Sequence, residues 1–490
     1  MPGRPMSLWL RSSKLRRAFA LSAVVLATGG LVLYKTPSSA ALPNHVLAGR
    51  RLLADGKSSV AFSGPGAHGV LSLSHTKVLS GQTTPVYAEL LLVADTSDKA
   101  PVRAPISLAV VLDTSGSMSG EKIEDAKRSV LRLISSMRDE DEIAVVRYSD
   151  ASELIQPLAR VGSVRSSLSM RIQQLTADGG TNILAGLSEG RRALGDEPGV
   201  LTGSKAGPRV RRIVLVSDGL DTTRAQAESL ARESFAGGIT VSSIGIGLDF
   251  DESYMGAVAQ SGHGNFAFIN DSGSLAGFLE RELEQTATTT VENARLSLEL
   301  PEGVRFISAM GADASTDGRS IELRVGSLFA GDERRVIVEL AADGVTGAAD
   351  FHASASWNEV GKTRITTSVP ALTLLASNDA DEVERGRDGA VLASATSVIA
   401  SKRQLEAASA YARGDVATAA RITARNEAAL GAALAAAPPA AAPALTAQMN
   451  AYSAQKKGFT SYRPESAEGK TVTKAAAVKD LDNLSRASSF

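Results

Sequence analysis

The run Ser107-Leu108-Ala109-Val110-Val111-Leu112-Asp113-Thr114-Ser115-Gly116-Ser117-Met118 decides how the rest of the chain is read. Its apolar half has no polar face to show to solvent, which fits a strand buried on both sides. It empties into a D-x-S-x-S turn. An extended backbone has a side-chain period of two, so Asp113, Ser115 and Ser117 converge on one point at the strand's C-terminal end. All three offer oxygen, the donor that Mg²⁺ or Mn²⁺ prefers. Gly116 relieves crowding between the serines, and 121–137 repeats apolar residues at helical spacing. The local order is strand, oxygen-rich turn, helix.

Two later segments supply what this turn lacks. Asp178-Gly179-Gly180-Thr181-Asn182 is a glycine-bearing loop with another hydroxyl. Ile213-Val214-Leu215-Val216-Ser217-Asp218-Gly219 is a second apolar strand ending in a carboxylate. In a parallel α/β sheet, the C-terminal ends of neighbouring strands form the crevice where ligands bind, which places Asp218 beside Asp113. Serine and aspartate also populate turns and helix caps for local reasons, so the first segment alone fits a cap equally well. The three segments in this order are more specific.

Together they resemble the metal-ion-dependent adhesion site of von Willebrand factor type A domains, with every element of that pattern present. The resemblance implies Ser115, Ser117 and Thr181 as direct or near-direct hydroxyl ligands of Mg²⁺ or Mn²⁺, with Asp113 and Asp218 close by and partly acting through water. Two carboxylates balance the charge of the cation, while neutral hydroxyls leave it electrophilic. A carboxylate from a partner protein, an Asp or Glu, is the natural sixth ligand.

Composition fits an exported protein. The chain has 490 residues, of which 43% are hydrophobic, enough for several real cores. A net charge of −1 gives no electrostatic reason to expect nucleic acid. The absence of cysteine excludes disulfides, thiolate metal sites and cysteine nucleophiles. Five scattered histidines offer no metal cluster. At the N-terminus, Arg4, Arg11, Lys14, Arg16 and Arg17 precede a mostly apolar run at 18–34, and Ser38-Ser39-Ala40-Ala41 offers small residues for cleavage. Residues 1–41 are therefore expected to be a signal peptide or membrane anchor, with the rest of the chain facing outward, whether periplasmic, at the cell surface or tethered.

The remaining layout is expected as follows. Residues 42–69 read as a linker, and 70–104 as β strands around a turn at Gly81. Over 105–287 strands and helices alternate, with strands at 106–112, 143–148, 154–158, 213–216, 240–245 and 266–269, giving a doubly wound, mostly parallel sheet with one antiparallel edge. Over 288–376 short strands and turns indicate an all-β sandwich, which the strands at 70–104 are too few to do without. The α/β domain is then an insertion in that sandwich. This layout resembles bacterial exported von Willebrand A proteins and parts of the inter-α-trypsin-inhibitor heavy-chain and calcium-activated-chloride-channel-regulator families. Residues 377–437 read as a helical hairpin with Gly414 and Asp415 at its turn, and 438–490 as a flexible tail.

Other motifs are weaker. Gly186-Leu187-Ser188-Glu189-Gly190 matches the nucleophile-elbow string, but the helix start at 181–185 puts Ser188 inside a helix. Asp249 and Asp251 suggest a further cation site or, more simply, a solvated loop. Arg413-Gly414-Asp415 spells a known adhesion tripeptide, which the interhelical turn explains without such a role. The leading expectation is a cation-dependent protein-binding module and not an enzyme. A structural envelope protein with a stabilising metal and a metal-dependent hydrolase are the alternatives.

Overall fold

The computed structural model describes residues 58–96, 105–195, 209–218, 221–269, 272–360 and 362–486. The expected export segment at 1–41 and the first part of the expected linker, 42–57, lie outside the described residues.

Four strands come first: β1 (Ser59–Gly64), β2 (Ala67–Leu73), β3 (Lys77–Leu79) and β4 (Thr84–Ala94). The linker expected over 42–69 is corrected here, because β1 pairs antiparallel along β2 through a tight turn at Pro65-Gly66. Serine and glycine hide the period of β1, yet Phe62 is buried in the core.

The α/β region follows as β5 (Ile106–Asp113), α1 (Glu121–Ser136), β6 (Glu142–Tyr148), β7 (Ser152–Arg160), α2 (Val161–Gln173), α3 (Ile183–Leu194), β8 (Val210–Ser217), α4 (Arg224–Ala236), β9 (Ile239–Ile246), α5 (Glu252–Ser261), β10 (His263–Ile269) and α6 (Ser272–Ala287). Its sheet runs β10-β9-β8-β5-β6-β7, parallel throughout except at the β7 edge. All eight residues of β5 are buried, as a central strand with helices on both faces requires. The period of two divides them: Leu108, Val110 and Leu112 pack with Ile123, Val130 and Leu133 of α1, while Ala109 and Val111 pack with Ile183 and Leu187 of α3.

The glycines of the nucleophile-elbow string belong to this second layer. In α3 a Cβ on Gly186 would stand 2.5 Å from the Tyr148 ring, and one on Gly190 would stand 2.5 Å from Val111. Four residues apart on one helical face, they let α3 lie close on the sheet, whereas Ser188 between them is exposed. Gly186→Val is expected to cost about 1–3 kcal/mol by overpacking, and Ser188→Ala less than about 0.5 kcal/mol, both read from thermal denaturation. Equal effects would overturn this account.

The chain then returns to β structure with β11 (Thr289–Glu299), β12 (Val304–Met310), β13 (Asp313–Thr316), β14 (Ser320–Phe329), β15 (Glu333–Ala342), β16 (Ala348–Glu359) and β17 (Arg364–Ser377). Two sheets result, β1-β2-β4-β15-β12 and β13-β14-β11-β16-β17-β3. The pairing of β4 with β15 joins sequence before the α/β region to sequence after it, so that region is inserted in a β-sandwich. Between the sheets lie Phe62, Leu71, Leu90, Leu296, Ile321, Leu340 and Trp357, the indole of Trp357 donating to the Pro65 carbonyl at 2.9 Å.

After a short helix α7 (Ala380–Arg385) come α8 (Gly389–Ala412), α9 (Val416–Ala436), α10 (Ala442–Ser461) and α11 (Ala467–Ser485). The turn between α8 and α9 holds Gly414 at φ +87°, and Asp415 caps α9 by accepting from the Thr418 amide at 3.0 Å. The flexible tail expected at 438–490 is corrected: among the described residues up to 486 it forms α10 and α11. Pro438 and Pro439 lie between α9 and α10 and interrupt the helices there, while Pro443 stands in the first turn of α10. Leu445, Tyr452 and Phe459 recur every seven residues and are buried. Much of what they pack beside is polar, which concealed the pattern: Gln448, Asp480 and Asn483 are each at most 2% exposed.

Candidate functional site

The parallel strands β5 and β8 lie side by side and bring their C-terminal ends together. Asp113 closes β5 and Asp218 directly follows β8, both 0% exposed. Asp113 Oδ1 accepts from the Ser115 amide at 2.8 Å, and its Oδ2 accepts from the Ser217 hydroxyl at 2.7 Å. The Ser115 and Ser117 hydroxyls are 3.0 Å apart, and Ser117 Oγ donates to Asp218 Oδ1 at 2.7 Å. Four of the five residues expected from sequence thus form one hydrogen-bonded chain.

Thr181 arrives by a different route. The Gly116 amide donates to the Gly179 carbonyl at 2.9 Å, and the Asp178 amide to the Thr114 carbonyl at 2.7 Å, pinning the glycine loop against the D-x-S-x-S turn. Gly179 takes φ +73°, and a Cβ there would stand 2.5 Å from an Asp150 carboxylate oxygen, so the close approach needs glycine. Thr181 itself is half-buried, one residue before Asn182, whose side chain caps α3 by accepting from the Ala185 amide at 3.0 Å. Among the described residues no hydrogen bond joins the Thr181 hydroxyl to the other four.

Two further residues shape the site and were missed from sequence. Asp221 accepts from the Ile183 amide at 2.8 Å and from the Thr223 hydroxyl at 2.7 Å, tying the start of α3 to the segment after β8. Burial alone would raise its carboxyl, but these hydrogen bonds hold it below the ordinary carboxylate range. Lys122, in the first turn of α1, donates to Asp218 Oδ2 and, at 3.2 Å, to the Ser117 carbonyl. Its signal in the sequence was a lone lysine just past the glycine that opens the helix.

Burial pushes the Asp113 carboxyl above its ordinary value, against the pull of the Ser115 and Ser217 hydrogen bonds. The charge of Asp218 adds to that rise. The residues therefore fit a hard divalent cation: two wholly buried carboxylates, serine and threonine oxygens around them, and one ammonium against two acids. Asp113, Ser115, Ser117, Thr181 and Asp218 would hold it, and bound there it would supply a Lewis-acidic position for an anionic oxygen.

The other acidic candidates do not converge. Asp251 caps α5, accepting from the Ser253 amide at 2.8 Å, and Asp249 pairs with Lys470 at 2.8 Å.

A family model for the von Willebrand factor type A domain matches residues 107–281. An uncharacterised protein of Synechocystis sp. PCC 6803, sll0103, is 26% identical over 287 residues, 56% of this chain and 66% of that protein. Inter-alpha-trypsin inhibitor heavy chain H1 of Sus scrofa is 24% identical over 200 residues, 39% of this chain and 22% of its own length. The chain thus spans less than two thirds of either relative. The solved structure of a von Willebrand factor type A protein from Catenulispora acidiphila superposes with a TM-score of 0.62 at 17% identity, covering 87% of this chain and 99% of that one, a likeness of fold. With strand order, insertion point and family match in agreement, the chain carries a von Willebrand factor type A domain within a β-sandwich.

Proposed function

We propose that this protein is a divalent-cation-dependent binding module that grips an Asp or Glu of a partner protein through Mg²⁺ or Mn²⁺ held at Asp113, Ser115, Ser117, Thr181 and Asp218. Domains of this family are commonly protein-interaction modules, which supports the class of function. The observation that carries the metal reading is the pair of fully buried carboxylates at the sheet's C-terminal edge, linked from Asp113 by the Ser115 amide and then through the Ser115 and Ser117 hydroxyls to Asp218. Such a cluster leaves a bound cation electrophilic and open on its solvent side, suited to a ligand carboxylate.

A non-enzymatic role is part of the proposal. The groups hydrogen-bonded to the two acids are serines and a lysine already paired with Asp218, which offers no ready general base for activating water. Export is proposed from the basic and apolar segment at 1–41. Among the described residues no helix is long and apolar enough to cross a membrane.

Immobilised protein is expected to capture a partner from a cell-surface extract only with Mg²⁺ or Mn²⁺ and to release it to chelator. Capture should fall to background in Asp113→Ala and in Ser115→Ala. Capture that survives both substitutions overturns the proposal. A chelator-induced drop in melting temperature with capture intact would instead favour a metal that only stiffens the envelope protein.

A further inference from the structure

The cation-binding reading leaves one charged group without a role. Lys122 lies in the first turn of α1 with its ammonium on Asp218 Oδ2 and on the Ser117 carbonyl. Its stem runs beneath Gly247 at the end of β9, where a Cβ would stand 3.3 Å from Lys122 Cε. Gly247 takes φ +72°, so this close passage sits in a backbone conformation suited to glycine. The side chain is 31% exposed while the carboxylate it meets is 0% exposed. The lysine therefore reaches in from the rim and ends on a buried acid.

Both oxygens of Asp218 then have donors, Ser117 on Oδ1 and Lys122 on Oδ2. Lysine is a compact point charge with three donors and no acceptor, so it neutralises an acid but cannot ligate a metal while protonated. A divalent cation drawn to Ser115, Ser117 and Asp218 would come to rest beside that ammonium. Like charges at such separations repel appreciably even near a protein surface.

We infer that Lys122 is the built-in counter-ion of the adhesion site, which an incoming divalent cation must share or displace, and that it thereby sets the cation concentration at which the site loads. This rests on the cation-binding reading above. In the cation-free protein the lysine keeps the buried carboxylate compensated and the site folded. On loading, the cation takes over that compensation. The cost is affinity: the site is weaker than its five oxygen ligands alone would make it, and fills only where Mg²⁺ or Mn²⁺ is abundant.

The test is Mn²⁺ binding to the full chain, followed by the electron paramagnetic resonance signal of free Mn²⁺, with melting temperature in chelator as a second readout. Lys122→Met is expected to bind Mn²⁺ at least ~10-fold more tightly than the unaltered protein. It should also melt lower in chelator, and Mn²⁺ should raise its melting temperature by more. Lys122→Arg, which keeps the charge, should show no gain in affinity. If Lys122→Met does not fold, Lys122→Gln supplies the comparison, since it keeps an N–H donor without charge. A neutral variant that binds Mn²⁺ no more tightly than the unaltered protein overturns the inference while leaving the cation site standing. Saturable binding in neither protein overturns the cation reading and the inference with it.

Discussion

Replacing Lys474 with methionine is expected to destabilise the protein by about 3–5 kcal/mol, the usual effect of stranding one partner of a buried ion pair. Lys474, on α11, donates to Glu252 Oε2 at 2.7 Å and to the Phe250 carbonyl at 2.6 Å, and its ammonium stands 4.0 Å from the Phe250 ring centroid. The two charged side chains are 3% and 9% exposed. Methionine fills the space but leaves a carboxylate and a carbonyl without their donor. Glu252→Gln should cost a comparable amount for the opposite reason, a buried ammonium without its counter-charge. The double variant should recover much of the loss, because the hydrophobic or neutral pair needs no compensation. Urea unfolding of the four proteins checks this. Additive single effects, each below about 1 kcal/mol, would show that α11 is not anchored here. The anchored segment leads back to the site: Lys470 pairs with Asp249, and Gly247, two residues before Asp249, lies over the stem of Lys122. Loss of the anchor is therefore expected to loosen the wall of the site that confines Lys122.

That anchor was not legible in the sequence, and the reason is physical. The α/β domain could be read because its signals are local and strong: a short apolar run such as β5, ending in a Ser/Gly-rich turn, reads as a buried strand, and Asp113, Ser115 and Ser117 lie within five residues. The insertion in a sandwich also followed, since too few strands precede the domain to bury a face by themselves. Lys122 and Asp221 escaped because their meaning depends on what the fold sets opposite them, the Asp218 carboxylate in one case and the Ile183 amide in the other. The last two helices, α10 and α11, escaped for a related reason. Their interfaces are built from Ser397, Ser401, Gln448, Tyr452, Asp480 and Asn483 as much as from apolar residues, and polar residues in a lysine- and alanine-rich segment read as solvated. Once folded, the same groups satisfy one another across α8, α10 and α11.

This polar core gives the protein a pH response of its own. Asp480 is 1% exposed and accepts from the Tyr452 hydroxyl at 2.6 Å. Burial raises its carboxyl from the ordinary 3.8 to about 7, although the hydrogen bonds from Tyr452 and Ser401 pull the other way. Between these values the folded protein holds a proton that the unfolded chain has released. The stabilisation from this group is therefore complete below the unfolded value and is lost as pH rises through about 7. Asp480→Asn keeps an oxygen to accept from Tyr452 and removes the ionisation. Between pH 5 and pH 8, measured by urea unfolding, the unaltered protein is expected to lose roughly 2–3 kcal/mol more stability than this variant. At pH 8 the asparagine protein should be the more stable of the two, since ionised Asp480 has no cation among its described hydrogen-bond partners. Parallel stability profiles across that range would mean that the acid ionises as freely when folded as when unfolded. Because α11 carries both Asp480 and Lys474, the stability lost as pH rises falls on the same helix that holds Glu252.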